Sequence, residues 1–147
     1  MGLQQRVMEQ LKLAMKAKDS VALESLRAIK SALLVASTSG GSEVTEEDEI
    51  QIVQKLVKQR KDSAAIFIEQ GRQDLADPEL AQIAVIEQFL PEQLSEEEVE
   101  KVVVQTIDAI GASGMKDMGK VMGIVSKELA GQADGKLIST IVKKKLA

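Results

Sequence analysis

The chain has 147 residues, 44% of them hydrophobic, with a formal net charge of −4, and it contains no His, Cys, Trp or Tyr. This length suits one domain or two small ones. Without His and Cys there are no disulfides, no zinc or copper sites built from those ligands, and no Ser-His or Cys-His nucleophile. We therefore expect no metal, no cofactor and no catalytic residue, unless lysines and carboxylates supply the chemistry.

Membrane and export signals are weak in the sequence. No apolar run approaches the roughly 18–20 residues that span a bilayer. Gln4, Gln5 and Arg6 stand where a signal peptide would become apolar. We expect a cytoplasmic protein that does not enter a membrane.

Apolar residues at helical spacing predict four helices in the first part of the chain. Asp19 is the predicted N-cap of the second helix, residues 37–42 form a loop by composition, Thr45 begins the third helix and Gly71 ends it. The pair Asp77-Pro78 predicts the start of the fourth, because proline suits the first helical position. The predicted buried residues of the first three helices are Leu3, Val7, Leu11, Ala14 and Met15; Val21 or Ala22, Leu26, Ile29 and Leu33; and Ile50, Val53, Val57, Ala64, Phe67 and Ile68.

Three more helices are predicted in the second part. Ser95 and Glu98 form a predicted capping box at the start of the first, with a hydrophobic staple around it. The other two are expected over about 117–130 and 134–146, and each begins at an aspartate.

The whole pattern predicts an all-α fold, because no segment alternates with period two for long. A polar bend around Pro91 gives the most plausible boundary. We expect a helical domain of about four helices over 1–91 and a three-helix domain over 92–147. The second is small enough to be marginal for independent folding.

The segment 116–147 is basic, with seven lysines against three acids, on a chain that is acidic as a whole. Both predicted helix starts within it are followed by a glycine and a lysine. Helix N-termini present backbone N–H groups to anions, and glycine permits close approach. We therefore expect the following residues to contact RNA phosphates: Lys116, Gly119, Lys120, Gly123, Gly135 and Lys136.

These residues also have ordinary structural interpretations. Gly119 and Gly123 share a helix face, where small residues let a neighbouring helix approach, and we favour this packing role for Gly123. A single lysine among them is more often simply solvated. For the cations of the first part, ion pairs are favoured over a second nucleic-acid surface; these are Arg27, Lys30, Lys55, Lys58, Arg60, Lys61 and Arg72.

Two further features limit the chemistry of the chain. Glu96, Glu97 and Glu98 are explained by helix capping and the helix dipole, so a metal site there is disfavoured. Phe67 and Phe89 are the only aromatic residues, and both fit buried stripes. Any RNA binding is therefore expected to depend on shape and phosphates and not on base stacking.

Five motifs in order resemble the YqeY family of small bacterial proteins along essentially the full chain. They are Arg27 with Lys30, RKDSAAIFIEQGRQDLA at 60–76, FLPEQLSEEEVE at 89–100, DMGKVMG at 117–123 and GQADGK at 131–136. In that family the C-terminal half is similar to the tail domain of GatB, which belongs to the glutamine-dependent amidotransferase that amidates misacylated tRNA. That tail domain is implicated in tRNA binding, whereas the catalytic part of GatB has no counterpart in this chain.

The resemblance implies three hypotheses about function. The first is a non-catalytic tRNA-associated protein that docks on structured RNA through its C-terminal domain. The second is a protein-interaction module for an amidotransferase or an aminoacyl-tRNA synthetase. The third is carbon–nitrogen ligase activity with glutamine as amido-N-donor, a label inherited from the amidotransferase, against which the residue types argue.

Overall fold

The structure, a computed structural model, describes residues 2–40 and 43–147. Within these residues the chain forms seven α-helices, one 3-10 turn over Met115–Asp117 and no strand, which confirms the all-α prediction. The helices are α1 (Leu3–Ala17), α2 (Ser20–Ser39), α3 (Glu46–Glu69), α4 (Gln73–Glu87), α5 (Glu96–Ile110), α6 (Met118–Glu128) and α7 (Gly135–Leu146).

The chain divides into two compact units, one that ends at Leu90 and one from Pro91 to Ala147. We call them the N-terminal unit and the C-terminal unit and describe each by itself. Both contain a buried apolar cluster of their own. The division therefore reflects two separate cores.

Helix starts follow the predicted capping residues. The Asp19 carboxylate accepts a hydrogen bond from the backbone N–H of Ala22 at 3.1 Å. Thr45 and Asp48 exchange two bonds, one from each backbone N–H to the other side chain, at 3.1 and 3.0 Å. At Ser95 the hydroxyl accepts from the N–H of Glu98, and among the described helices the reciprocal box is formed only at Thr45. The three predicted caps are confirmed, but the complete box was assigned to the wrong helix.

The predicted start of α4 at Asp77-Pro78 is wrong. Gly71 ends the preceding helix with φ +73°, and α4 begins two residues later, at Gln73. The Gln73 side chain donates to the Asp77 carboxylate at 2.6 Å, so the first turn is already closed before proline is reached. Pro78 is the sixth residue of α4, where it removes one backbone donor but leaves the early turn intact.

The predicted loop at 37–42 is also partly wrong. Ser37, Thr38 and Ser39 belong to α2, which ends at Ser39. The hydroxyls of Ser37 and Thr38 donate to the backbone oxygen of Leu34 at 2.9 and 3.1 Å, so both side chains bond back onto the helix. Gly41 and Ser42, also assigned to this loop, lie outside the described residues.

In the N-terminal unit, α2 contacts α1, α3 and α4, and α3 and α4 pair as a long hairpin. Ile29, Val53 and Ile86 are fully buried at the centre. The buried Ser25 hydroxyl donates to the Val21 backbone oxygen at 2.7 Å, so it leaves no unpaired polar group. Two residues of the predicted stripes, Met15 and Ile68, are instead 55% and 50% exposed. The sequence pattern therefore extends past the end of the core.

In the C-terminal unit, α5, α6 and α7 pack against one another around fully buried valines. The segment before α5 is tied to the turn between α6 and α7: the Leu94 N–H donates to the Gln132 backbone oxygen at 2.9 Å, and the Gln93 amide donates to the Gly131 oxygen at 2.6 Å. Leu94 packs against the same cluster that contains Val99, as the predicted staple requires. The valines at the centre of the bundle are Val99, Val103, Val121, Val125 and Val142.

Leu33 and Leu34 provide a matched test of the N-terminal core. Leu33 is 3% exposed and Leu34 is 60% exposed, although they are neighbours of the same chemistry. We expect Leu33→Ala to lower the free energy of unfolding by about 2–5 kcal/mol, because it leaves a cavity. Leu34→Ala should change it by less than about 0.5 kcal/mol. Urea denaturation followed by circular dichroism measures both, and equal losses would contradict this orientation of α2.

Thr45 provides a test of the capping box. We expect Thr45→Ala to cost about 1 kcal/mol of unfolding free energy, because a helix N–H loses its acceptor. Ser31→Ala, an exposed mid-helix control on α2, should be nearly neutral. The bond from the Thr45 N–H lowers the pKa of Asp48 below its ordinary value. The carboxylate contribution is thus present at neutral pH and is lost as the pH falls through the folded-state pKa. A cost of Asp48→Asn that did not shrink under acid conditions would contradict this account.

Candidate nucleic-acid interface

The two predicted helix starts in the basic segment are confirmed: Asp117 precedes α6 and Asp134 precedes α7. Lys116 lies in the 3-10 turn, and Lys120 and Lys136 lie in the first turns of α6 and α7. The 3-10 turn contacts both helices, so the elements that carry the three lysines are neighbours within one unit. All three side chains are exposed, and none forms an ion pair with any described residue.

The start of α6 offers fewer free backbone donors than its sequence predicts. The 3-10 turn engages the N–H of Asp117, which donates to the Gly114 oxygen at 3.0 Å, and the N–H of Met118, which donates to Met115. The Asp117 carboxylate accepts from the Ser113 N–H at 3.0 Å and caps the turn before the helix, not the helix itself. An anion at this position would depend chiefly on the lysine side chains.

The start of α7 is capped by a carboxylate. Asp134 accepts from the backbone N–H of Lys136 at 3.1 Å. This bond uses the donor beside the proposed phosphate contact, and the negative charge of Asp134 opposes a second anion there. The side-chain ammonium of Lys136, which is exposed, is therefore the group that remains for a phosphate.

The glycines of α6 do not pack against a neighbouring helix, so the packing role favoured for Gly123 is wrong. Gly119 and Gly123 are both exposed, and a Cβ added at either would meet no described atom within 4 Å. The reason is the orientation of α6, whose buried face is formed by Val121 and Val125. Gly135 is equally open. These glycines leave bare backbone on the surface.

Lys127 is a surface cation that the sequence reasoning missed. It lies seven residues after Lys120, two turns along the same face of α6, and Gly123 lies between them on that face. The spacing of seven is the signal that identifies it. Lys145, by contrast, donates to the Glu100 carboxylate at 2.7 Å and lowers the pKa of that group, so it links α7 to α5.

The cations of the N-terminal unit divide into two groups. Lys61 pairs with Glu87 at 3.5 Å, and Arg72 makes a two-pronged bond to Asp74 at 2.9 and 3.0 Å. Arg60 bonds to the Gln82 side chain and the Leu56 oxygen. The ion-pair prediction holds for Lys61 and Arg72 but is wrong for the four that bind no carboxylate in the described chain: Arg27, Lys30, Lys55 and Lys58.

The described residues contain neither of two other classes of site. No group of three or more acidic side chains among them is arranged to hold a metal ion. No helix there is both long enough and apolar enough to span a membrane.

Known proteins similar to this chain fall into two groups. The chain is 38% identical to a glutamyl-tRNA(Gln) amidotransferase subunit of Thermococcus gammatolerans over 104 residues, which are 68% of this chain and 17% of that protein. It is 29% identical to altered inheritance of mitochondria protein 41, mitochondrial, of Pyrenophora tritici-repentis over 130 residues, 87% of this chain and 71% of that protein. The protein of that name from Clavispora lusitaniae is 32% identical over 122 residues, 81% of this chain and 69% of that protein.

The chain thus corresponds to only a small part of the amidotransferase protein but to most of the mitochondrial proteins. Its sequence also matches the family described as Yqey-like protein over residues 4–146, which include both units and nearly all of the seven helices. The chain therefore belongs to the Yqey-like protein family.

Proposed function

We propose that this protein is a non-catalytic tRNA-associated protein whose C-terminal unit binds structured RNA. The observation that carries the proposal is the group of exposed, unpaired lysines on neighbouring elements of the described chain: Lys116, Lys120 and Lys136. The similarity to a protein whose name contains glutamyl-tRNA(Gln) supports tRNA as the RNA class. The same similarity supports an amidotransferase, or a synthetase that charges the same tRNA, as the protein partner.

The proposed contact is electrostatic, with the lysines neutralising phosphates. Gly119, Gly123 and Gly135 leave open backbone around them, which permits close approach. Stacking on bases is disfavoured because Phe89 is 7% exposed and the Arg6 guanidinium lies 5.3 Å from its ring centre. The RNA is therefore recognised through its shape and its phosphates.

Charge reversal tests the lysines. Three phosphate contacts predict a slope of about −2 to −3 in log affinity against log salt, and removal of one contact should reduce the slope by about 1. We expect Lys120→Glu and Lys136→Glu each to weaken tRNA binding and to flatten the slope. Fluorescence anisotropy with labelled tRNA at two salt concentrations measures both quantities.

Lys101→Glu on α5 is the matched control, because it makes the same charge change at an exposed lysine of the same unit. If the control weakened binding as much as Lys120→Glu, the effect would come from net charge and not from the proposed contacts. Binding by both test variants equal to wild type would remove these lysines from the interface.

Gly123→Ala separates binding from stability. The helix has room for the Cβ, and alanine favours a helix over glycine, so we expect unfolding free energy to rise by about 0.5–1 kcal/mol. The same methyl group should weaken tRNA binding if RNA lies against this face. Thermal denaturation and the anisotropy titration give the two readouts. A stabilised variant with unchanged affinity would place Gly123 outside the interface.

A further inference from the structure

The α3–α4 hairpin extends beyond the N-terminal core. Two cross-helix contacts fix its register: Arg60 donates to Gln82 at 2.9 Å on one side, and Lys61 pairs with Glu87 at 3.5 Å on the other. Residues seven positions closer to Gly71 lie two helical turns farther along the same two sides. They are Phe67 with Leu75 on the Arg60 side and Ile68 with Leu80 on the Lys61 side.

This outer part of the hairpin, residues 62–80, is the hairpin tip. Its interior consists of small residues, since Ala64 and Ala76 are 2% and 0% exposed, and both lie outside the main buried cluster. Its larger aliphatic side chains remain exposed, with Ile68 at 50% and Leu80 at 43%. The tip carries five carboxylates and one cation, Arg72, which is held by Asp74. It is therefore an apolar and strongly acidic projection.

The outward face of α2 has the opposite charge. Arg27, Lys30, Leu34 and Val35 lie within about two turns of one another and are exposed, the last two at 60% and 63%. We call these four residues the α2 ridge. Neither cation pairs with a described carboxylate, and Glu24 on the same helix instead accepts a bond from Gln82 at 3.2 Å. The ridge is apolar and basic, and its charge is unbalanced.

We propose that the α2 ridge binds the hairpin tip of a second copy of this chain. Each surface combines exposed aliphatic side chains with charges of one sign, and the signs are opposite. Ridge against ridge would place Arg27 and Lys30 near the same cations of the other copy, and tip against tip would oppose carboxylates. Every chain carries one ridge and one tip, so copies associate through unlike surfaces. This contact involves only the N-terminal unit and is independent of the proposed RNA interface.

Complementary charge reversals on the full chain test the contact. One variant carries Arg27→Glu and Lys30→Glu, and the other carries Glu69→Lys and Glu79→Lys, which spares the bonded Asp74 and Asp77. We expect wild type to self-associate in sedimentation equilibrium between micromolar and millimolar concentrations. Each variant alone should associate at least about tenfold more weakly, because like charges then face each other. An equimolar mixture of the two should recover most of the wild-type association.

Lys55→Glu with Lys58→Glu is the matched control, because it reverses two cations at the same spacing on α3 that pair with no described carboxylate. The control should associate like wild type, and circular dichroism should show all variants folded. A monomeric wild type at every concentration would overturn the proposal and would leave the ridge to a different acidic protein. Equal weakening by the control, or no recovery in the mixture, would also overturn it.

Discussion

The burial of Val121 and Val125 is the constraint on which the character of the C-terminal unit depends. Helices of 11 to 15 residues are marginal in isolation, so α5, α6 and α7 persist because each buries one apolar face against the other two. Once these two valines point inward, the rotation of α6 about its axis is fixed. Lys120, Gly123 and Lys127 then have to face outward. The same packing that stabilises the unit therefore exposes the surface that we propose for RNA.

Much of this fold could be predicted from the sequence because its signals are local. The caps at Asp19, Thr45 and Ser95 depend on a side chain and a backbone group three residues apart. Buried residues such as Leu26 and Ile29 follow from helical spacing alone. The start of α4 could not be predicted in this way, because Asp77-Pro78 is a good helix start that a stronger local competitor at Gly71 precedes. A single sequence gives no means of ranking the two.

The candidate site was less predictable, since its properties depend on which groups become neighbours. Periodicity places Gly119 and Gly123 on one face but does not say whether another helix covers that face. The free backbone donors expected before α6 are engaged because a 3-10 turn forms there, and no clear signal in the sequence indicates that turn. The distinction between Lys61, which pairs with Glu87, and Lys58, which pairs with no described carboxylate, depends on the position of α4. These are tertiary facts, and residue spacing alone does not encode them.

The glycines on α6 violate a local rule without any compensation among the described residues. Each glycine in a helix interior costs roughly 1 kcal/mol relative to alanine, and α6 has only 11 residues. Neither Gly119 nor Gly123 has a positive φ, and neither would clash as alanine, so neither turn geometry nor packing requires them. Natural sequences tend to retain such local costs at functional sites. The cost is then offset only when a ligand approaches the bare backbone, and this is the reason to look for that ligand on the outward face of α6.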